Sequence, residues 1–320
     1  MAYRIALIHN AKFPVAHYGG TERVLWWLAK GLSELGHSVV LLAAPGSFCP
    51  FAETPPCNFP SKETELPPAD IYHYFNTPEQ EPQFPYLVTI GGNAKSQERF
   101  LPNTVFVSRN HAERHGASAF VYNGVDPDDY LFSNQKMEEL LFLAKASWNV
   151  KNVKGAISVA RKTGLELQVV GGSRKWLPRW RGVYWRGFLG GKEKAQVITR
   201  AKGLIFPVLW DEPFGIAVVE ALVSGVPVLA TPFGSLKELI PSTVGQLCTT
   251  YREFTEGVSR LGSFKSEECR EWALSKFHYL QMTKNYLTVY EKVLSGEKLH
   301  PQPIEMPVLK PFKLFELPEH

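Results

Sequence analysis

Two rhythms of apolar positions run along this chain. Short β-rich runs alternate with longer stretches whose apolar residues recur every three or four positions. Tyr3–Ile8 predicts a buried strand. Thr21–Leu35 predicts a helix with Val24, Leu28, Leu32 and Leu35 on one face, stopped by Gly36 as a left-handed cap. Further strands are expected at Ser38–Ala43, Asp70–Phe75, Tyr86–Ile90, Thr104–Val107 and Ala119–Tyr122. Proline and polar residues break the rhythm over Pro45–Pro68, which reads as a surface loop, and again over Pro78–Pro85.

The alternation restarts near Glu139. Strands are predicted at Glu139–Ala144, Leu165–Val170, Gly203–Phe206, Val226–Ala230 and Gly245–Cys248, with a helix over Val153–Thr163. Helices follow to about Leu294. Pro301, Pro303, Pro307, Pro311 and Pro318 exclude regular helix from the tail, which is expected to lie extended on the surface. Such a pattern predicts an α/β protein of parallel sheets covered by helices. Two Rossmann-like domains are expected: 1–133, joined by the C-terminal segment 280–320, and 134–279, with Asp126–Lys136 as the hinge. Open α/β domains bind ligands at their strand ends, so the two are expected to face a common cleft.

Composition narrows the class. Of the 320 residues, 44% are hydrophobic and 21% charged, a globular rather than disordered balance. The first ten residues read as a strand rather than a leader, and no apolar run is long enough for a membrane span. The expectation is a cytoplasmic protein. Cys49, Cys57, Cys248 and Cys269 form no CxxC pair, so reduced thiols are expected and no metal site; pairing of Cys49 with Cys57 stays open. The net charge of +4 suits an anionic small ligand or a membrane surface without proving either.

Three segments carry candidate chemistry. His17-Tyr18-Gly19-Gly20-Thr21-Glu22 follows the first strand and opens a helix, where Gly19 and Gly20 allow close backbone approach and the helix end favours an anion. A plain tight turn is the bland alternative, and the absence of GxGxxG argues against a dinucleotide site. Glu212-Pro-Phe-Gly-Ile-Ala-Val-Val-Glu220 places two carboxylates eight positions apart. With a helix beginning near Pro213, phosphate could dock on the N–H groups of Gly215 and Ile216 while Glu212 and Glu220 accept hydrogen bonds from sugar hydroxyls. Glu220 lies in an apolar run, and a buried carboxylate needs a partner. Arg174–Arg186 interleaves tryptophans with basic residues. Packing on the domain core, peripheral membrane contact at the inner face and acceptor stacking are its alternatives; no recognised nucleic-acid module accompanies it.

The run Pro207-Val-Leu-Trp-Asp-Glu-Pro-Phe-Gly-Ile-Ala-Val-Val-Glu-Ala-Leu-Val-Ser-Gly-Val-Pro-Val-Leu-Ala-Thr231, with Gly234 and Glu238, resembles the signature of the family-4 retaining glycosyltransferases of the GT-B fold. Gly19-Gly20-Thr21-Glu22 with Leu35–Val39 resembles that family's first helix and second strand. Val107-Ser108, Asn123–Asp126, Phe277 and Thr288–Glu291 resemble later parts, so the likeness recurs from about Tyr3 to Leu294. It implies that Glu212 contacts the donor sugar near the reacting centre and that Glu220 holds the ribose hydroxyls. Backbone groups of Phe214, Gly215 and Ile216 are implied to meet sugar and phosphates. A basic pair is implied to neutralise the diphosphate. Lys145 stands where arginine is usual in the family, Lys151 follows six positions on, and Lys154 before Gly155 is a rival for the second place. Lysine supplies charge there without the bidentate fork.

The family's first-domain histidine is missing from Leu87-Val-Thr-Ile-Gly-Gly-Asn93; Asn93, His9, His17 and His73 are the nearest alternatives. The resemblance implies retaining transfer of a hexose from a nucleoside-diphosphate sugar, UDP before GDP or ADP, to a carbohydrate, lipid-linked or small-molecule hydroxyl. No metal and no cofactor is expected. A non-catalytic nucleotide-sugar or glycan-binding protein is the alternative, and a nucleotide-sugar epimerase a third reading.

Overall fold

The computed structural model describes residues 1–15, 19–56, 66–94, 98–174, 180–305 and 318. The chain forms two compact units. The first comprises Met1–Val15, Gly19–Gly124 and the described chain from Tyr279 to 305; the second comprises Val125–His278. The chain thus changes unit after Gly124, ahead of the expected boundary at 133. The segment 125–133 belongs to the second unit because its bonds lie there. Val125 N donates to Phe277 O, and the Tyr130 hydroxyl reaches Glu220.

The first unit opens with β1 (Arg4–Ile8), α1 (Gly20–Glu34), β2 (Ser38–Leu42), β3 (Ile71–Tyr74) and β4 (Tyr86–Ile90). It continues with β5 (Arg99–Phe100), β6 (Thr104–Phe106) and α2 (Arg109–Arg114). Its sheet runs β2-β1-β3-β4-β6, every pair parallel, with Ile5 opposite Val39 and Ile71. Ala119–Tyr122, expected as a strand, makes only the single bridge Phe106–Phe120.

The second unit contains β7 (Glu139–Leu143), α3 (Val153–Thr163), β8 (Glu166–Val170), β9 (Val183–Trp185), α4 (Gly191–Arg200) and β10 (Gly203–Phe206). Then come α5 (Ile216–Val223), β11 (Val228–Ala230), α6 (Leu236–Leu239), β12 (Gly245–Leu247), α7 (Tyr251–Arg260) and α8 (Ser266–Phe277). The parallel sheet runs β12-β11-β10-β7-β8-β9. Leu140, Phe142, Leu167, Val169, Ile205 and Leu229 from its strands form a buried core with Ala156 and Ile157 of α3 and Phe254 of α7. Strands buried on both faces read as continuous apolar runs, which is why β7 and β10 are legible.

The chain then returns to the first unit as α9 (Tyr279–Leu294) and β13 (Ile304–Glu305), which pairs antiparallel with β5. The return is fixed by a buried polar chain. His73 bonds Tyr290 Oη and Thr89 Oγ1, both at 2.7 Å, and Thr89 bonds Tyr286 Oη at 3.1 Å. Burial pushes the His73 imidazole down to about 3, so it is neutral. His73 is therefore a core histidine, not a ligand group. Cys49, Cys248 and Cys269 are buried free thiols. Among the described residues, no helix is long and apolar enough to cross a membrane.

Candidate active site

In the second sheet the strand order reverses between β7 and β10. Ligands of open α/β sheets bind outside the strand ends at that reversal. β7 is followed by Lys145–Lys151, and β10 by the loop Pro207–Gly215. Two candidate segments therefore meet at one edge of one sheet.

They are stitched together before any ligand is considered. Asn152 adopts a left-handed conformation, φ 55°, and its side chain caps α3 through Gly155 N at 3.0 Å. The same amide donates to Pro207 O at 2.9 Å, and Leu209 N donates to Val150 O at 2.8 Å. A side chain at Gly155 would run into Asn152 and the Tyr251 hydroxyl, so glycine is required there.

Glu212 is buried at 7% exposure, and its Oε2 accepts from Lys151 Nζ and Trp210 Nε1, each at 2.6 Å. Its Oε1 has no hydrogen-bond partner among the described residues. The Lys151 ammonium also lies 4.6 Å from the centre of the Trp210 ring, which stacks edge-on with Trp148 at 6.3 Å. Lys145 in turn sits 4.7 Å over Trp148. The structure thus joins Lys145, Lys151 and Glu212 through two tryptophans. Lys154 is exposed on the first turn of α3.

The helix expected near Pro213 begins at Ile216 instead. Gly215 takes φ 95° and is the N-cap, without a side-chain cap bond; Val218 N closes the first turn on Gly215 O at 2.9 Å, while the N–H groups of Ile216 and Ala217 have no partner within the helix. What delays the helix is a second loop laid against the first. Gly234 N donates to Asp211 Oδ1, Ser235 N to Glu212 O, and Ser235 Oγ to Phe214 O. Gly234 lies so close to the Glu212 backbone that a Cβ there would overlap it. Phe214 is buried edge-on against Phe277 at 5.6 Å. Phe214 therefore holds the loop by packing.

Glu220 falls just over one turn into α5, closer to the helix start than two turns. At 2% exposure it accepts from Lys194 Nζ of α4 at 2.7 Å and from the Tyr130 hydroxyl at 2.6 Å. The apolar run around Glu220 foretold a partner; that the partners are Lys194 and Tyr130 was not legible. Lys194 lies among several charges of the amphipathic α4, and Tyr130 lies in the expected hinge. The far ends of these helices are also joined. Lys136 Nζ donates to Thr199 O near the end of α4 and to Ser224 O at the end of α5. Burial pushes that amine down to about 8.

Gly19 and Gly20 lie in the first unit. Gly19, φ 154°, is the uncapped N-cap of α1, and the Glu22 carboxylate folds back over it. An acidic group in that position opposes an anion, which weakens the phosphate role expected of this turn. His17 and Tyr18 lie outside the described residues. In place of the missing family histidine, Gly91–Ala94 is held by α2 and His115. His111 Nε2 meets Gly92 O at 3.0 Å, Ala94 N donates to His115 Nε2 at 3.2 Å, and Arg114 Nη2 donates to Asn93 Oδ1 at 3.0 Å. Of Arg174–Arg186, residues 175–179 lie outside the described set. Trp180, Val183 and Trp185 pack on the core of the second unit, and Arg186 Nε donates to Gln168 Oε1 at 2.7 Å. Among the described residues, no group of three or more His, Cys, Asp and Glu side chains is arranged to hold a metal ion.

Two parallel α/β units of this kind are the architecture of the GT-B glycosyltransferases. Residues 138–263 match the family "Glycosyl transferases group 1". Along 92% of its length the chain superposes on 98% of AviGT4, a glycosyltransferase involved in avilamycin A biosynthesis, with TM-score 0.78 and 25% identity. It superposes on sucrose-phosphate synthase of Thermosynechococcus elongatus with TM-score 0.71 and 16% identity, covering 92% of this chain and all (100%) of that one. Anabaena HepE, solved in complex with UDP-glucose, matches with TM-score 0.64 and 14% identity over 92% of this chain and 100% of that chain. A 41.2 kDa protein in the cps region of Klebsiella pneumoniae is 30% identical over 34% of this chain and 32% of its own length. The chain spans less than a third of the curated relatives it matches, 32% and 26%. The chain has the GT-B fold, and residues 138–263 of its second unit match a group 1 glycosyltransferase domain.

Proposed function

We propose that this chain is a retaining, metal-independent hexosyltransferase that moves a hexose from a nucleoside-diphosphate sugar, UDP-sugars first, to a hydroxyl acceptor. One observation carries the reading. Glu212 has one oxygen anchored by Lys151 and Trp210 and the other open, at the strand-end reversal of a group 1 glycosyltransferase domain. An anchored carboxylate with a spare lone-pair edge is suited to a sugar hydroxyl. That UDP-glucose is held by HepE, a protein of like fold, supports the choice of UDP.

The chemistry assigned to the residues is as follows. The bond from the sugar's anomeric carbon to the diphosphate oxygen breaks, and a bond to the acceptor oxygen forms on the same face. The acceptor proton passes to the departing phosphate. Negative charge grows on the diphosphate, where Lys145, Lys151 and the first-turn N–H groups of α5 supply positive potential. Glu212 orients the sugar. Glu220 takes the ribose hydroxyls, for which Lys194 and Tyr130 hold it in place. The acceptor is a carbohydrate, lipid-linked or small-molecule hydroxyl.

Calorimetry with UDP, GDP and ADP, followed by assay of UDP release from UDP-hexoses, tests the reading. Micromolar nucleotide binding and release that depends on Glu212 support it, and the product anomer decides retention. Nucleotide binding without release under any acceptor favours the non-catalytic reading, whose motive is the missing histidine at Gly91–Asn93. No nucleotide binding at all overturns both.

A further inference from the structure

Lys136, in the segment that leads into β7, donates from Nζ to Thr199 O at 2.9 Å and to Ser224 O at 3.1 Å. Two backbone carbonyls thus accept two N–H protons. That is the full complement of a neutral amine, and it leaves the lone pair directed away from both carbonyls. The same two residues carry orphaned hydroxyls. Ser224 Oγ, on a residue with 0% exposure, and Thr199 Oγ1 are buried without a hydrogen-bond partner among the described residues. Buried polar atoms are nearly always paired, so both call for an explanation. A protonated lysine offers donors only and can give the hydroxyls no acceptor. An acceptor is what this corner of the second unit lacks.

The amine can also be reached and can react. Lys136 is half-buried, and Leu131 and Met137 of the same segment are exposed. Burial lowers the Lys136 amine to about 8, against the upward pull of Cys269 and Glu267 of α8. The other charges of the packed elements are engaged elsewhere, Arg200 of α4 with Glu139 and Arg270 of α8 with Val223 O. We infer that Lys136 is an acylation site, whose amine takes an acyl group from an acyl phosphate and whose new carbonyl accepts from the Ser224 and Thr199 hydroxyls. The nitrogen lone pair attacks the acyl carbon, and the N–C bond forms. The C–O bond to phosphate breaks, phosphate leaves with that electron pair, and the displaced amine proton passes to it. The hydroxyls stabilise the negative charge that grows on the acyl oxygen. The product amide keeps one N–H for one of the two carbonyls and loses the positive charge that suits two helix C-terminal ends. α4 and α5 are then untied at one end, and they carry Lys194 and Glu220, which meet at 2.7 Å. Acylation therefore lowers nucleotide affinity, a consequence that rests on the reading of Glu220 as the ribose partner.

The full chain is treated with acetyl phosphate, and peptide mass spectrometry follows the acetyl occupancy of Lys136 and Lys265. Lys265 is the exposed control, since its ion pair with Glu268 holds its pKa above the ordinary lysine value. At pH 8 Lys136 should acetylate at least about tenfold faster than Lys265, with a rate that levels off above about pH 9. Ser224→Ala should slow it several-fold. A rate no greater than that of Lys265, or one still climbing at pH 10 as an ordinary lysine would, overturns the inference, and neither measurement needs a variant to fold. The acetylated chain should bind UDP about fivefold more weakly, the low end of coupling between two sites. Lys136→Arg, treated alike, should lose none of its own affinity, which separates Lys136 from the other lysines. Fast acetylation with UDP affinity unchanged, where Glu220→Ala does weaken it, overturns the link from the helix ends to Glu220. Fast acetylation in a chain that binds no UDP refutes the nucleotide reading alone. UDP binding intact with Lys136 unreactive refutes this site alone.

Discussion

Lys151 and Trp210 donate to the same oxygen of Glu212, both at 2.6 Å. The ammonium and the indole approach from different segments, one after β7 and one after β10, so the carboxylate also clamps two loops. Removing one partner leaves a buried charge unpaired. Lys151→Met is therefore expected to lower stability by about 3 kcal/mol in urea denaturation and to cut UDP-sugar turnover on the order of a hundredfold. The double variant Lys151→Met/Glu212→Gln should regain most of the stability and none of the turnover. Equal instability in both variants would show that the pair is not the cause.

Glu220 divides the work differently. Tyr130→Phe removes one donor and should cost about 1–2 kcal/mol; Lys194→Met strands the carboxylate and should cost about 3 kcal/mol or more. Glu220→Ala is expected to weaken UDP affinity at least about tenfold, the order lost when a ligand hydrogen bond to a charged group is removed. Glu212→Ala should chiefly lower turnover. The calorimetric Kd set against kcat checks the division, and the reverse pattern would exchange the two roles.

Gly215 and Gly234 test the loop that carries Glu212. Gly215→Ala forces a left-handed residue, with its Cβ 3.3 Å from Leu236, and should cost about 1–2 kcal/mol. Gly234→Ala must displace the Glu212 backbone and should cost more, with loss of turnover. Stability near that of the parent chain in Gly234→Ala, measured by thermal melting, would contradict the tight approach of the two loops.

Acid should weaken the first unit. His73 and His111 are held neutral by burial, at about 3 and about 2, against an ordinary value of 6.5. The unfolded chain therefore binds more protons below pH 6.5. This contribution is whole above that pH and fades as pH falls toward the folded values. Between pH 6.5 and 5 each histidine should cost about 2 kcal/mol. Urea denaturation at pH 7.5 and 5 measures it, and His73→Gln should flatten the slope. An unchanged slope would place the acid sensitivity elsewhere.

Much of this molecule can be read from residue order. Val153–Thr163 and Gly203–Phe206 fall where apolar spacing puts them, because a helix face and a doubly buried strand each declare their period locally. The start of α5 does not. Pro213 is an acceptable first helical residue, yet Gly234 and Ser235, some twenty positions later, hold the loop open until Ile216. Ala119–Tyr122 has strand composition but only one bridging neighbour. Glu212 is legible as a candidate from its pairing with Glu220 in the sequence, and Lys145 and Lys151 through the family resemblance. The tryptophans that join them, Lys194 and Asn152 were not, since nothing local distinguishes a surface lysine or asparagine from one that spans two segments.

Lys136 gives the Lys194–Glu220 contact a setting screw. A single amine terminates both α4 and α5, so neither helix can slide along its axis without losing one of the two carbonyls. The reach of the Glu220 carboxylate is thereby calibrated from the opposite ends of its helices, and exchanging Lys136 would shift that carboxylate without touching it.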